Sequence, residues 1–543
     1  AVDLSGDVRA ALAVDSGLAY SRNGEARPFS RDTEGAIPGE GAAALVLKRL
    51  DDAIKDGNRV YSVIRGTGAA SGGGVDKFIP DSEACKEAMR RAYLDARVDP
   101  ASVDYLETHG SGNAAEDAAE ARAIANFFGE GERTRALKLG SAKERVGHAG
   151  AASALASVVK ASLGLYQEII PGLKSSGSPL EEIAGSPAKF ALPDASQCWL
   201  RDRVEGPRRA GVTAFGVGGT CVHVVLEALE EQNSKVTIAE RLQPLGVQDE
   251  ALFLIDGQDD QSLRADLSEL EKLAESWQDR SIVAIARQWW NRGAPKSRAQ
   301  NLALVARDGN ELFRLCREAG QTISKDNPAG GNGRKTAVGD ERIFFSNEPV
   351  GRDGKVAFVY PGSGNHYPDM GREIGVAWPE LLRRQDGENE RLASQVVSEM
   401  FWNGTSPEAI AADHHAMIFG QVAHGTLVSD LIQACGVNPD EVIGYSLGES
   451  AGLFSTRAWT ARDEMYGRMI GGDLFTRQLA GACESARKTW NLAQGKEVDW
   501  SMGVVDRTAD ETRAALEGRE RVYLLIVNTA RECIVGGQRA AVD

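Results

Sequence analysis

Strand-like and helix-like segments alternate along the first 230 residues of the chain. Short β-branched and apolar runs are separated by stretches in which apolar residues recur every three or four positions, and this pattern predicts a layered α/β fold. The predicted strands are 60–66, 103–107, 137–141, 211–215 and 222–226, and the predicted helices are 82–97, 116–128 and 151–165. A glycine turn separates the last two strands, which we expect to pair with each other.

The pattern changes in the middle of the chain. Five apolar residues recur as they do on one face of a helix: Leu263, Leu267, Leu270, Leu273 and Trp277. This stripe lasts only about two heptads, so ordinary helix packing is a better interpretation than a coiled coil. Together with strand-like runs at 251–255 and 302–306, it predicts a small α/β unit, and the Gly-rich loops 327–335 and 347–354 mark its end.

A second α/β region begins near residue 353. It opens with a buried-type strand at 356–360, continues with a helix over 418–435 and a strand at 441–444, and turns sharply at Ser446. Later the predicted order is strand, helix, strand, strand, at 502–505, 509–516, 522–527 and 533–536. We therefore divide the chain into segments 1–228, 229–352 and 353–543, with a βαββ subdomain over 500–543.

Composition narrows the class of protein. The 543 residues are 42% hydrophobic and 26% charged, which excludes a disordered or fibrous chain. The net charge of −16 argues against nucleic-acid binding, which needs a basic surface. There is no apolar stretch of ~18–20 residues for a membrane span, no secretory signal and no nucleotide-binding glycine motif, and the seven cysteines lack metal-binding spacing. These features predict a cytoplasmic, multidomain protein that binds no membrane, no nucleic acid, no metal and no tight cofactor.

Residues 444–448 read GYSLG, a GxSxG motif between a predicted strand and a predicted helix. The glycines permit a tight turn that exposes the hydroxyl of Ser446, and the amide of Leu447 at the helix start can donate to an oxyanion. This context favours a nucleophilic serine over a structural one. A serine nucleophile needs a base, and His366, which follows a Pro-Gly loop, is a candidate to line the same cleft.

The third segment resembles the acyltransferase domain of type I polyketide synthases and polyunsaturated fatty acid synthases. The resemblance rests on the runs 358–365 (FVYPGSGN) and 444–449 (GYSLGE). It implies an α/β-hydrolase-like fold with a ferredoxin-like insertion. It also implies that Ser446 accepts the acyl group and that the backbone amides of Ser363 and Leu447 form the oxyanion hole. Gln421 matches a glutamine of the family's cleft.

Three positions depart from the family pattern. Ser363 stands where the family's loop has glutamine, Tyr445 replaces the histidine before the nucleophile, and Gly471 stands where malonyl-loading members carry an arginine. Arg468 is a nearby arginine and the candidate for substrate binding, although a bidentate guanidinium works only from the right place. The loaded acyl group is therefore open. The resemblance places the family's catalytic histidine beyond residue 543.

Two histidines follow predicted strands in the first segment. His109 lies in ETHGSG (107–112), and His148 ends KERVGH (143–148) one strand–helix unit later. Histidines at equivalent strand ends can point into one cleft, and decarboxylative condensation uses two imidazoles there to stabilise an enolate and its oxyanion. A single histidine is more often a packing residue, but the pair with its flanking glycines predicts a catalytic site.

The first segment resembles the C-terminal half of a β-ketoacyl synthase, a thiolase-like fold, over residues 1–228. The motifs are PGEG (38–41), LKRL (47–50), HGSG (109–112), KxxxGH (143–148) and AFGVGGT (214–220). The resemblance implies that His109 and His148 are the active-site pair, that Lys143 organises them and that Phe215 lies near the acyl channel. Further matched positions are Asp117 and Glu120 at acidic sites, Asn113 for a threonine, Val217 for a phenylalanine, Cys221 for an asparagine, and His223 in a structural role.

The resemblance also calls for a nucleophilic cysteine in a TACSS-like turn, which this sequence lacks. Cys85, Cys198 and Cys221 have no such context, and the matching cysteine would precede Ala1. We therefore expect a ketosynthase–acyltransferase fragment of a longer synthase that is inactive alone.

In the intact enzyme, the acyltransferase would move an acyl group from acyl-CoA through Ser446 to the phosphopantetheine of an acyl carrier protein. The ketosynthase would then condense acyl thioesters. One alternative is a serine thioesterase or hydrolase, suggested by GxSxG and the absent arginine. Another is a non-catalytic, chain-length-factor-like scaffold.

Two partners follow from the resemblance. A homodimer through the ketosynthase region is implied. Docking of an acidic carrier protein would need a local basic patch, for which the candidates are Arg457, Arg462 and Arg468, or the arginines within 201–209.

Overall fold

The computed structural model describes most of the chain. It covers residues 1–543 except 5–7, 9–11, 13–14, 16–18, 73–80, 132, 174–176, 187–188, 217, 231–244, 246–247, 294–298, 326–340, 348, 350–353 and 494–495. By its internal contacts the chain divides into two compact units, Ala1–Ala458 and Trp459–Asp543. The predicted loop 327–335 and Val217 lie outside the described residues.

The first segment forms a mixed six-stranded sheet in the order β3-β10-β9-β4-β5-β7. In chain order its elements are β1 (Val2–Asp3), β2 (Gly41–Ala42), α1 (Leu50–Lys55), β3 (Val63–Ser71), α2 (Ser82–Ala96), β4 (Tyr105–Glu107), α3 (Ala114–Phe128), β5 (Leu137–Gly140), α4 (Lys143–Val146), α5 (Gly150–Gln167), β6 (Ile169–Ile170), α6 (Glu181–Ala184), β7 (Phe190–Ala191), β8 (Gln197–Cys198), β9 (Arg209–Gly216) and β10 (Thr220–Glu227). Strands β9 and β10 form the expected hairpin, with Phe215 opposite Cys221. The strand predicted at 60–66 begins later and extends to Ser71, where it pairs with β10.

Helices cover both faces of this sheet. On one face α2 presents Ala88 and Ala92, spaced four residues apart, to β3. The helix lies so close that a Cβ at Gly68 of β3 would come within 2.1 Å of the Ala88 carbonyl oxygen. On the other face α5 packs against β9 and β4, around the buried rings of Tyr105 and Trp199. The three layers confirm the α/β architecture predicted for this segment.

Parallel pairing at the centre of the sheet positions the candidate site. Strand β4 pairs in parallel with both β5 and β9, so that Glu107 lies opposite Gly140 and Val212. The carboxyl ends of these strands therefore meet at one edge of the sheet, and the loops that carry His109 and Lys143 start there.

The second segment folds around its own core. Its elements are β11 (Ala251–Gly257), α7 (Asp260–Ser276), α8 (Ile282–Trp290), β12 (Gln300–Ala306), α9 (Gly309–Lys325) and β13 (Ile343–Ser346), with an antiparallel sheet in the order β11-β12-β13. The predicted apolar stripe lies on α7, where Leu263, Leu267 and Leu270 are buried against α9 and the sheet. The stripe therefore serves packing within this small α/β unit.

The start of the third segment belongs to the first unit. Its elements are β14 (Ala357–Tyr360), α10 (Arg372–Ala377), α11 (Pro379–Glu388), α12 (Leu392–Val396), α13 (Ser398–Phe401), α14 (Pro407–Ala412), a π-helical turn (Ala416–Gly420), α15 (Gln421–Ala434), β15 (Glu441–Gly444) and α16 (Leu447–Ser455). Strands β14 and β15 pair in parallel. Cys198 and Leu200 of the first segment share a core with Leu382, Phe401 and Trp402. The first and third segments are therefore packed together.

The second unit contains the predicted βαββ order. Its elements are α17 (Arg462–Gly471), a π-helical turn (Leu474–Gln478), α18 (Glu484–Thr489), β16 (Trp500–Val505), α19 (Ala509–Leu516), β17 (Val522–Thr529), β18 (Glu532–Gln538) and α20 (Arg539–Val542). The sheet is antiparallel in the order β16-β18-β17. The assignment of this sheet as a ferredoxin-like insertion, and of the third segment as an α/β-hydrolase-like domain, stays a prediction.

Candidate functional site

The structure brings the two predicted histidines of the first segment together. The ring centroids of His109 and His148 are 5.5 Å apart, with an angle of 71° between the ring planes. His109 is 3% exposed, whereas His148 is partly exposed. Two imidazoles at the edge of one sheet can therefore address the same bound group.

Backbone amides hold both imidazoles in one tautomer. The N–H of Phe215 donates to Nδ1 of His109 over 3.2 Å, and the N–H of Gly150 donates to Nδ1 of His148 over 3.2 Å. An amide N–H can only donate, so each neutral ring carries its proton on Nε2. The ring of Phe215 also stacks on His109, with 4.5 Å between centroids and 18° between planes. Each histidine is thus fixed as an Nε2–H donor.

Two buried carboxylates support the loop that carries His109. Glu120 accepts the N–H of His109 over 2.8 Å and the N–H of Gly110 over 2.9 Å. Asp117 accepts the N–H of Gly112 over 3.3 Å, and burial raises its pKa to about 7. Both glycines have positive φ, 40° at Gly110 and 81° at Gly112, which explains the need for glycine there. The acidic residues therefore act on the backbone of the HGSG loop.

Lys143 and the PGEG motif complete this frame. The Nζ of Lys143, in a side chain only 2% exposed, donates to the carbonyl oxygen of His109 over 2.7 Å. The N–H of His148 donates to the carbonyl oxygen of Ile37 over 2.7 Å, and the N–H of Gly39 donates to that of His148 over 3.2 Å. Residues from three motifs far apart in sequence are thus joined at one place.

Burial dominates the electrostatics of the pair. Desolvation, followed by the nearby charge of Lys143, lowers the pKa of His109 from 6.5 to about 3. The same two effects, in the same order, lower the pKa of His148. Both imidazoles are therefore neutral hydrogen-bond donors near pH 7, which suits them to stabilise an oxyanion rather than to deliver a proton.

Glu116 is a site residue that the sequence analysis missed. Its Oε2 lies 3.5 Å from Nε2 of His109 and accepts a hydrogen bond from the hydroxyl of Ser111. Although burial raises the pKa of this carboxyl, the contact with His109 and the bond from Ser111 lower it to about 2. The available signal was its place in the first turn of α3, beside Asp117 and directly after the HGSG loop.

The cysteines of the described region do not provide a nucleophile at this pair. Cys85 and Cys221 are fully buried in the sheet–helix core. The Sγ of Cys198 donates to the carbonyl oxygen of Gly375 over 2.9 Å, and burial raises its pKa to about 12. His223 is also buried, with Nδ1 3.0 Å from the hydroxyl of Thr213, as expected of a structural residue.

The serine motif has the backbone of a nucleophile elbow. Ser446 is exposed and has φ 52° and ψ −118°, a strained conformation for a residue with a Cβ, and α16 starts at Leu447. A Cβ at Gly444 would come within 2.3 Å of the Glu449 nitrogen, and one at Gly448 within 2.2 Å of the Tyr360 oxygen. The glycines of GxSxG are therefore required by close approach of the backbone.

The predicted oxyanion loop adjoins this elbow. Tyr360 and Gly444 are paired at the carboxyl ends of β14 and β15, so the loop with Ser363 and the turn with Leu447 leave the same sheet edge. The Nε2 of Gln421 donates to the carbonyl oxygen of Gly362 over 2.7 Å. Gln421 thus supports the loop, and its contact with a substrate stays a prediction.

The other acyltransferase candidates remain without a demonstrated role. The Nδ1 of His366 is buried and has no hydrogen-bond partner among the residues that the structure covers. Arg468 lies in the second unit, where it is exposed and pairs with Glu464 one helical turn earlier, over 2.5 Å. A substrate-binding role for Arg468 stays a prediction.

The arginines proposed as a carrier-protein patch are largely neutralised. Arg208 is 3% exposed and pairs with Glu230 over 2.8 Å. Arg457 pairs with Asp430 over 2.6 Å, and Arg462 is buried. A buried, paired guanidinium cannot attract a partner, so the prediction is wrong for Arg208 and Arg462.

The described residues hold neither a membrane span nor a metal cluster. Within that part of the chain, no helix is long and apolar enough to cross a membrane. Nor do three or more His, Cys, Asp or Glu side chains in the covered ranges cluster in a way that could hold a metal ion.

Comparison with known proteins identifies the family of the first segment. Residues 1–53 match the model of the beta-ketoacyl synthase N-terminal domain, and residues 61–175 match that of the C-terminal domain. The first segment therefore includes part of the N-terminal domain in addition to the expected C-terminal half.

Similar proteins are large synthases. A PKS-NRPS hybrid synthetase of Aspergillus niger is 27% identical over 96% of this chain and 27% of its own length. One subunit of the polyunsaturated fatty acid synthase of a Thraustochytrium species is 28% identical over 83% and 17%, and 5-methyl-1-naphthoate synthase of Streptomyces sahachiroi is 29% identical over 98% and 28%. The chain thus spans about a sixth to a quarter of the length of these relatives.

Solved ketosynthases are also similar. The ketosynthase from module 6 of the bacillaene synthase of Bacillus subtilis 168 is 24% identical with a TM-score of 0.40, over 64% of this chain and 56% of that one.

Proposed function

Because residues 1–53 and 61–175 belong to the beta-ketoacyl synthase family, we propose that His109 and His148 act on acyl thioesters in decarboxylative condensation. The observation that carries the proposal is the pair of rings 5.5 Å apart, each fixed as an Nε2–H donor. Loss of carbon dioxide from a carboxyacyl thioester leaves an enolate oxygen, which two such donors would stabilise. Condensation then needs an acyl group on a thiol, with which the enolate carbon forms the new bond.

Decarboxylation tests this proposal separately from condensation. We expect the full chain to release carbon dioxide from malonyl-pantetheine, and His109→Gln or His148→Gln to slow the release on the order of 10²-fold. His414→Gln is the matched control, because His414 is exposed and belongs to another part of the chain. Release that is absent, or unchanged in both variants, would refute the assignment.

A second activity is proposed for Ser446. Its strained backbone and the oxyanion loop beside it support acyl transfer, in which the serine oxygen attacks a thioester carbonyl and the thiol of coenzyme A leaves. The acyl group then passes to the phosphopantetheine thiol of an acyl carrier protein. The proposal further includes a homodimer through the ketosynthase region and a ferredoxin-like insertion at 500–543.

Labelling distinguishes the possible roles of this serine. Radiolabelled acyl-CoA should attach to the full chain and lose its site in Ser446→Ala, whereas Ser450→Ala, in the same helix, should label normally. Rapid release of the label as free acid would instead favour a thioesterase or hydrolase. Equal labelling of wild type and Ser446→Ala would remove the serine from the mechanism, and an unlabelled chain without decarboxylation would favour a non-catalytic scaffold.

A further inference from the structure

Glu116 places a negative charge beside the imidazole pair. Its side chain is 5% exposed, and its Oε2 lies 3.5 Å from Nε2 of His109. The hydroxyl of Ser111 donates to the same oxygen, and the side chain of Asn113 caps α3 by accepting the Glu116 N–H over 3.3 Å. The carboxylate is therefore held in place at this point of the site.

The nearby nitrogen is the one through which His109 can contact a ligand. Its Nδ1 is occupied by the N–H of Phe215. Its Nε2 is buried and, within the described ranges, has no hydrogen-bond partner. A substrate oxygen that accepts the Nε2–H therefore arrives next to Glu116.

A carboxylate at this position distinguishes neutral from anionic groups. A carbonyl oxygen can accept the Nε2–H and carries only a partial charge. A second full negative charge about 5 Å from Glu116 would be disfavoured on the order of 10²-fold at an effective dielectric constant of ~20. Solvent that enters through the partly exposed His148 reduces this factor, so a discrimination of at least about tenfold is expected.

We propose that Glu116 is a specificity-determining residue of the imidazole pair. It allows the carbonyl oxygen of an acyl thioester to take the Nε2–H of His109 and keeps the free carboxylate of a carboxyacyl thioester away from that nitrogen. The inference rests on the proposed function, because it requires that acyl thioesters bind at His109 and His148.

Binding of two probes to the full chain tests the inference. Acetyl-pantetheine is neutral, whereas malonyl-pantetheine carries a free carboxylate. Glu116→Gln, which keeps an oxygen for Ser111, should raise the affinity for malonyl-pantetheine about tenfold or more and change that for acetyl-pantetheine by less than about twofold. Glu227→Gln is the matched control, because Glu227 is also a buried carboxylate but pairs with Arg65 and Arg209. The control should change neither affinity.

The outcomes separate this inference from the proposed function. Binding of both probes with an unchanged ratio in Glu116→Gln would overturn the role of Glu116 and leave the function standing. Failure of both probes to bind would overturn the function and the inference together.

A spectroscopic readout excludes a merely structural effect. In the full chain labelled with ¹⁵N-histidine, the Nε2–H signal of His109 is assigned by its loss in His109→Gln. It should shift in Glu116→Gln and return partly in Glu116→Asp. An unchanged signal in Glu116→Gln would mean that the carboxylate does not act on His109.

Discussion

The ion pair between Lys138 and Glu399 gives the sharpest test of how the first and third segments are joined. Lys138 lies on β5, which leads to the imidazole site, and Glu399 lies on α13. The side chain of Lys138 is 4% exposed, whereas that of Glu399 is 31% exposed and also accepts the Nδ2–H of Asn403 over 2.7 Å. The two partners therefore differ strongly in what each loses when the other is removed.

Glu399→Gln should be much more destabilising than Lys138→Met. The first change leaves a buried ammonium without its carboxylate, which costs about 3–5 kcal/mol. The second leaves a carboxylate that water and Asn403 still solvate, and we expect a cost of about 1 kcal/mol. The double variant should resemble Lys138→Met, because no buried charge is then left unpaired.

Urea titration of the full chain, followed by tryptophan fluorescence, measures these differences. Asp56→Asn is the control, since its pair with Lys48 is exposed, at 54% and 38%, and should contribute less than about 0.5 kcal/mol. If Lys138→Met costs as much free energy of unfolding as Glu399→Gln, the burial argument is refuted.

Two further predictions concern the sites themselves. Since burial lowers the pKa of His109 from 6.5 to about 3, the free energy of unfolding should decrease as the pH falls from 6.5 toward 3, because only the unfolded chain then binds the proton. Urea titrations at several pH values should show a smaller decrease in His109→Gln, and an equal decrease would contradict the shift. Gly448→Ala should destabilise the elbow by about 2 kcal/mol or more, because its Cβ would lie 2.2 Å from the Tyr360 oxygen. Gly387→Ala, with nothing within 4 Å in α11, should instead stabilise the chain by about 0.5–1 kcal/mol, and similar urea midpoints for the two variants would exclude this explanation.

Elements with strong local signals were predictable from sequence. Strand Glu441–Gly444 and helix Ala509–Leu516 begin and end where the pattern places them, and the helix starts with a capping box between Thr508 and Glu511. The strand Val63–Ser71 was misplaced, because its glycines and alanines carry little strand propensity and its length depends on pairing with β10.

The candidate sites were partly predictable for the same reason. Motifs indicated His109, His148 and Ser446, and the spacing of strands suggested that the two imidazoles would meet. The role of Glu116 depends on where a helix turn packs against a ring, which no local pattern records.

By itself, the sequence determined which segments form strands and helices and which residues carry chemistry, since periodicity, caps and glycine turns act over a few neighbouring positions. Only the tertiary structure decided which charges are compensated. Arg208 meets Glu168 and Glu230, and Lys138 meets Glu399, across separations of up to 261 residues. Burial and pairing depend on the packing of distant elements, and they set whether a charged side chain attracts a partner, tunes an imidazole or only holds two segments together.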